Sequence, residues 1–180
     1  MPIVYHPDRG SIVTVDYDRG FKNPEMDKLR LAVVLSPAIK ARVKLVTVVP
    51  LSLTEPETVL PFHKQIDVPF QLPDPWGNQP RWIKGDMVNA VGFHRVELIR
   101  LGKDKSGTRI YQTSVLDEEM FKVVKRCVLH GLGLSNLTEY PLIPYLFSRG
   151  SAHVILVKTL PRAPGQWAIS KLGAGDVSAH

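Results

Sequence analysis

Two residues of opposite charge stand just ahead of an apolar run. Glu25 comes first, and Arg30 follows and leads into Leu31, Ala32, Val33, Val34 and Leu35. A guanidinium keeps its proton at any working pH and offers a planar fork of donors, so it suits a phosphate whose negative charge grows during reaction. A carboxylate beside it can move the proton that such a reaction transfers. The same pair also reads as ordinary loop charges at a strand end, and the surrounding elements bear on which reading holds.

Those elements are mostly strands. Ser11 to Tyr17 alternates Ile12, Val13, Val15 and Tyr17 with Thr14 and Asp16, the period of a half-buried strand. Asp18 to Lys28 has the polar and breaker content of a loop. Leu31 to Leu35, closed by Ser36-Pro37, and Lys44 to Leu51, ended by Pro50, are apolar runs of core-strand length. Prolines at 56, 61, 69, 73, 75 and 80 exclude helix from the next connection and leave Gln65 to Phe70 as an edge strand at best. Arg81 to Met87, Phe93 to Leu101 and Arg109 to Thr113 read as further strands, with Gly102 to Gly107 as a hairpin turn. Asp117 caps a helix with Glu118 and Glu119 in its first turn, Lys122, Lys125 and Arg126 later, and Met120, Phe121, Val124, Cys127 and Val128 on its apolar face. Gly131 and Gly133 are expected to stop it.

The order Arg9-Gly10 into an alternating strand, Glu25 in a loop, Arg30, Val33 to Pro37, then Pro50-Leu51-Ser52 resembles the amino-terminal half of the PemK/MazF family of toxin endoribonucleases. Trp82-Ile83-Lys84-Gly85-Asp86-Met87-Val88 resembles that family's strand with an acidic residue, and the resemblance runs over roughly residues 9 to 133. Lys28-Leu29 replace the family's glycine pair, Leu31 its proline, and Asn89-Ala90 its arginine and threonine. Ser52 stands for its threonine and keeps the hydroxyl.

The resemblance implies a small twisted antiparallel SH3-like barrel, mainly β, with a carboxyl-terminal helix. It implies a metal-independent endoribonuclease that cuts single-stranded messenger RNA and leaves 2′,3′-cyclic phosphate ends. Arg30 would stabilise the charged phosphorane, Ser52 would bind a phosphate oxygen, and Glu25 is the candidate base. Asp86, Lys84, Asn89, Trp76 and His94 are candidates for RNA contact, Asp86 alternatively as an orienter of Arg30. Trp76, between Pro75 and Gly77, is expected to be exposed, and Trp82 to be core. Partners implied are a second copy of the chain and an acidic antitoxin, with no cofactor. A different class stays open: a noncatalytic barrel, like the related gyrase poisons, or a regulatory binding module.

Composition agrees with a globular protein. The 180 residues are 44% hydrophobic and 22% charged, and 23 Lys and Arg stand against 17 Asp and Glu, a net charge of +6 that favours polyanionic partners. Cys127 is the single cysteine, which excludes an internal disulfide and a cysteine zinc site. No apolar stretch of membrane-spanning length and no export signal at Met1 to Arg9 are read, so the cytoplasm is expected. The organisation expected is a barrel domain over 1–134, with a proline-rich insertion at 54–81. A basic, partly disordered extension is expected over 135–180, with a short strand at Val154 to Val157.

Overall fold

A computed structural model of the chain describes residues 2–18 and 20–138, all within the unit Met1–Leu142. The described residues form a curled antiparallel sheet and one helix. The strands are β1 (Ile12–Asp16), β2 (Leu29–Val34), β3 (Leu45–Ser52), β4 (His63–Ile66), β5 (Arg81–Lys84), β6 (Asn89–Gly92) and β7 (Val96–Leu98). A separate hairpin pairs β8 (Arg100–Lys103) with β9 (Arg109–Tyr111), and the helix is α1 (Glu118–Gly131). Sheet order is β4-β5-β3-β2-β1-β7, with β6 also paired to β3.

Strand alternation sorts the apolar side chains into two cores. Leu31, Val33, Val49, Leu51 and Ile83 face one side and meet Val124 and Cys127 of α1. Val13, Val15, Ala32, Val34, Val46 and Val48 face the other side with Tyr17, Val91 and Val96. β6 pairs with β3 and β7 with β1, and between them runs a 3-10 turn, Phe93–Arg95, so this short segment curls the sheet around the second core.

Asp117 caps α1 by accepting the Met120 N–H at 2.7 Å. Gly133, at φ +72°, ends it: the Gly133 N–H donates to His130 O at 3.1 Å and the Leu134 N–H to Leu129 O at 2.8 Å, a Schellman closure. Gly131, expected to stop the helix, is its last residue. There it meets the β5–β6 turn backbone to backbone: a Cβ on Gly131 would lie 2.5 Å from the carbonyl carbon of Gly85.

Three expectations shift. The edge strand sought at Gln65 to Phe70 is β4, slightly earlier. The single strand read over Phe93 to Leu101 is a 3-10 turn followed by two strands, broken at the buried Ile99. The strand expected over Arg81 to Met87 ends at Lys84 in a turn at Gly85-Asp86, and β6 follows it. Of the expected extension 135–180, only the 3-10 turn Ser135–Thr138 is described, so Val154 to Val157 lie outside the described residues. The insertion is held to β5 by the buried Arg81, whose guanidinium donates to the carbonyls of Trp76 and Gly77.

Candidate active site and nucleic-acid interface

Arg30 is the second residue of β2, and Ser52 is the last residue of β3. The ladder between these strands pairs Leu31 with Leu51 and Ala32 with Pro50, and the same register one step further sets Arg30 opposite Ser52. The Leu35 N–H donates to Thr47 O and the Val34 N–H to Ser11 O. Odd-numbered β2 residues therefore bond to β3 and even-numbered ones to β1. Arg30 and Ser52 thus form a non-hydrogen-bonded pair, the type whose side chains stand closest, with Cα atoms about 4.5 Å apart. Both lie on the second-core face, Arg30 beside the buried Val15 of β1.

The guanidinium is partly open, with 28% of the side chain exposed, and it is held from one side by Asp27: Nε donates to Asp27 O at 3.0 Å and Nη2 to Asp27 Oδ1 at 3.2 Å. Asp27 was missed in the sequence, where a carboxylate three residues before the arginine was the available signal. Ser52 is only 5% exposed, and its Oγ accepts the Thr54 N–H at 3.0 Å. As a hydroxyl it keeps a proton to donate.

Glu25 lies in the β1–β2 loop with its side chain exposed, and its Oε2 accepts the Lys22 N–H at 2.9 Å. That bond shapes a local turn and does not join Glu25 to Arg30. Lys28, in the position of a family glycine, adopts φ +64°, so the loop keeps a left-handed residue and bears the steric cost of a side chain there.

Asp86 sits in the β5–β6 turn, 3.8 Å from His63 Nε2, and it is Asp27 that orients Arg30. Lys84 is half-buried at the end of β5; desolvation lowers its pKa, and the nearby Asp86 works the other way. Asn89 opens β6, and its side-chain amide donates to Met87 O at 2.7 Å. His94 is exposed in the 3-10 turn. The tryptophans depart from expectation. Trp76 is half-buried and packs on the first core, on the sheet face away from Arg30. Trp82 joins neither core among the described residues, and it pairs with Ser52 across β3 and β5.

Residues 8–130 match the family model for the PemK-like, MazF-like toxin of type II toxin-antitoxin systems. The chain belongs to that family. RNA cleavage by a toxin is the activity of the PemK/MazF family, and the curled antiparallel sheet with its carboxyl-terminal helix is the family's fold. No curated protein matches the chain. Among solved structures, the chain is similar to a MazF from Deinococcus radiodurans at 20% identity, covering 72% of this chain and 98% of that one, with a TM-score of 0.47. It is also similar to an endoribonuclease in complex with its cognate antitoxin from a mycobacterial species, at 15% identity over 72% and 97% of the two chains, TM-score 0.45. The PemK/MazF-like region described here carries no helix long and apolar enough to cross a membrane.

Proposed function

We propose that this PemK/MazF-family toxin cuts single-stranded messenger RNA in the cytoplasm without a metal and leaves a 2′,3′-cyclic phosphate. The reading rests on one observation above all: the register that sets Arg30 beside Ser52 at the end of β3. The nucleophile is internal to the substrate. A ribose 2′-hydroxyl loses its proton, its oxygen attacks the adjacent phosphorus, and the bond to the 5′-oxygen breaks as that oxygen gains a proton. Arg30 holds the phosphoryl oxygens as their charge grows, where a preorganised fork of donors acts most strongly. The Ser52 hydroxyl donates to one of those oxygens. Glu25 is the base, and Asp27 fixes the guanidinium's direction.

A homodimer and an acidic antitoxin complete the reading. The net charge of +6 supports an acidic, partly disordered partner that folds onto the basic surface.

The test is incubation of the full chain with single-stranded RNA in excess chelator, with analysis of the product ends. Cyclic phosphate termini that disappear with Arg30→Ala, and an all-deoxy strand left intact for want of the 2′-hydroxyl, are the results expected. Glu25→Gln compared with Asp27→Asn assigns the base. Cutting that requires added metal, or that persists in Arg30→Ala, refutes the mechanism. No cutting by the parent chain favours the noncatalytic module.

A further inference from the structure

The face that carries Arg30 and Ser52 continues outward over two more strands. Ser52 pairs with Trp82 on β5, and Trp82 pairs with Gln65 on β4. One step along the same strands, and on the same face by alternation, Lys84 pairs with His63. The intervening residue, Ile83, points into the first core. These four side chains therefore continue the Arg30 face, with the His63 side chain only 9% exposed.

We propose that Trp82 and Gln65, with the Lys84–His63 pair beside them, form a second nucleotide subsite, which takes the base and backbone phosphate of a residue flanking the cleaved bond. The proposal rests on the reading of the chain as a nuclease for single-stranded RNA. Several observations carry it. Trp82 is a half-buried aromatic ring that joins neither core, beside a residue of the candidate site. An unpaired base has an apolar face and stacks on such a ring whatever its sequence. Lys84 is a half-buried cation on the same face as Trp82. Desolvation lowers its pKa, and a backbone phosphate reaching it would offset that with an opposite charge.

His63 is fixed beside the lysine. Its Nδ1 accepts the Leu60 N–H at 3.3 Å, which leaves the proton on Nε2, directed toward Asp86 at 3.8 Å. Gln65, exposed at the sheet edge, adds an amide that can both donate and accept. Two strand spacings separate Arg30 from Trp82, roughly 10 Å, which is within reach of the neighbouring nucleotide of an unstacked strand.

The probe is a labelled oligouridylate with 2′-O-methyl groups throughout. It cannot be cut, so binding to the full chain is read apart from cleavage. Trp82→Ala is expected to weaken binding about 5- to 150-fold, and Trp82→Phe to restore most of it. Lys84→Gln is expected to reduce the slope of log affinity against log salt by about 0.7, a slope that Trp82→Ala leaves alone. If Arg30→Ala weakens binding while Trp82→Ala and Lys84→Gln bind like the parent, the subsite is overturned and the nuclease reading stands. If the parent itself does not bind the probe, both fall. If Trp82→Ala instead changes the sedimentation of the chain with binding unaltered, the face joins two copies and the subsite is wrong.

Discussion

Replacing Gly131 with alanine sets two effects of opposite sign against each other. Within a helix the change favours folding by up to about 1 kcal/mol, because alanine has less backbone entropy to lose. Gly131 is the last residue of α1, so the gain is a fraction of that. Against it, the new Cβ would stand 2.5 Å from both the carbonyl carbon and oxygen of Gly85 and 2.6 Å from the Asp86 nitrogen. Carbon contacts settle near 3.5 to 4.0 Å, so the helix end and the β5–β6 turn must part by about an ångström. Both neighbours are backbone and no side chain can rotate away. Such overpacking costs roughly 1–3 kcal/mol, so the steric term wins by about 1–2 kcal/mol. At this size a kcal/mol moves the melting temperature by about 3 °C, so calorimetry should show a fall of about 3–6 °C. Gly133→Ala is the control: nothing lies within 4 Å of its Cβ, and only the strain of φ +72° acts, worth about 1 kcal/mol. A melting temperature for Gly131→Ala equal to or above the parent's would refute the packing argument.

Arg30→Lys should lose about as much cleavage as Arg30→Ala, on the order of 100-fold or more in kcat, because a point charge replaces a fork already oriented by Asp27; near-parental turnover by the lysine variant would contradict this. Ser52→Thr should retain activity, while Ser52→Ala should lose about 10-fold or more in kcat at similar melting temperature, as single-turnover assays can read. Lys28→Gly should raise stability by about 1 kcal/mol, since it removes the side-chain penalty at φ +64°; denaturant melts check the sign. Burial pushes the Cys127 thiol up to about 11, so at pH 8 the thiolate is about a thousandth of the population. The folded chain should resist a disulfide exchange reagent that labels it at once in denaturant.

The first three strands and the helix were legible because each carries its signal within itself. β1 alternates, β2 and β3 are unbroken apolar runs, and α1 has its cap, charges and stripe in the right places. β6 carries no such signal. It starts with Asn89, ends with Gly92 and exists through its ladder with β3, so only the tertiary partner makes it a strand. The break at Ile99 has the same origin, since that side chain turns inward while β8 leaves for a separate hairpin. At the site, the arginine and the serine were readable from their order, but their juxtaposition is a matter of register, which no local pattern states. Trp82 misled because alternation shows that one face of a strand is buried. It does not tell which of Trp82 and Ile83 takes that face, and Ile83 does.

Pro50 has a mechanical consequence. Even-numbered residues of β3 turn their backbone groups toward β5 and β6, and Pro50 is the one among them without an N–H to give. It falls at the place where β3 exchanges one neighbour for the other, between Val48 opposite Asn89 and Ser52 opposite Trp82. Beyond it, only Leu51 and Ser52 tie the β4–β5 hairpin to the rest of the ladder. Within the ladder that hairpin is held by a short seam, and its amides should exchange with solvent by an easier opening than those of β1 and β2. What the missing N–H takes from the seam is supplied by packing, since Ile66 and Ile83 sit in the first core and Gly85 abuts the end of α1.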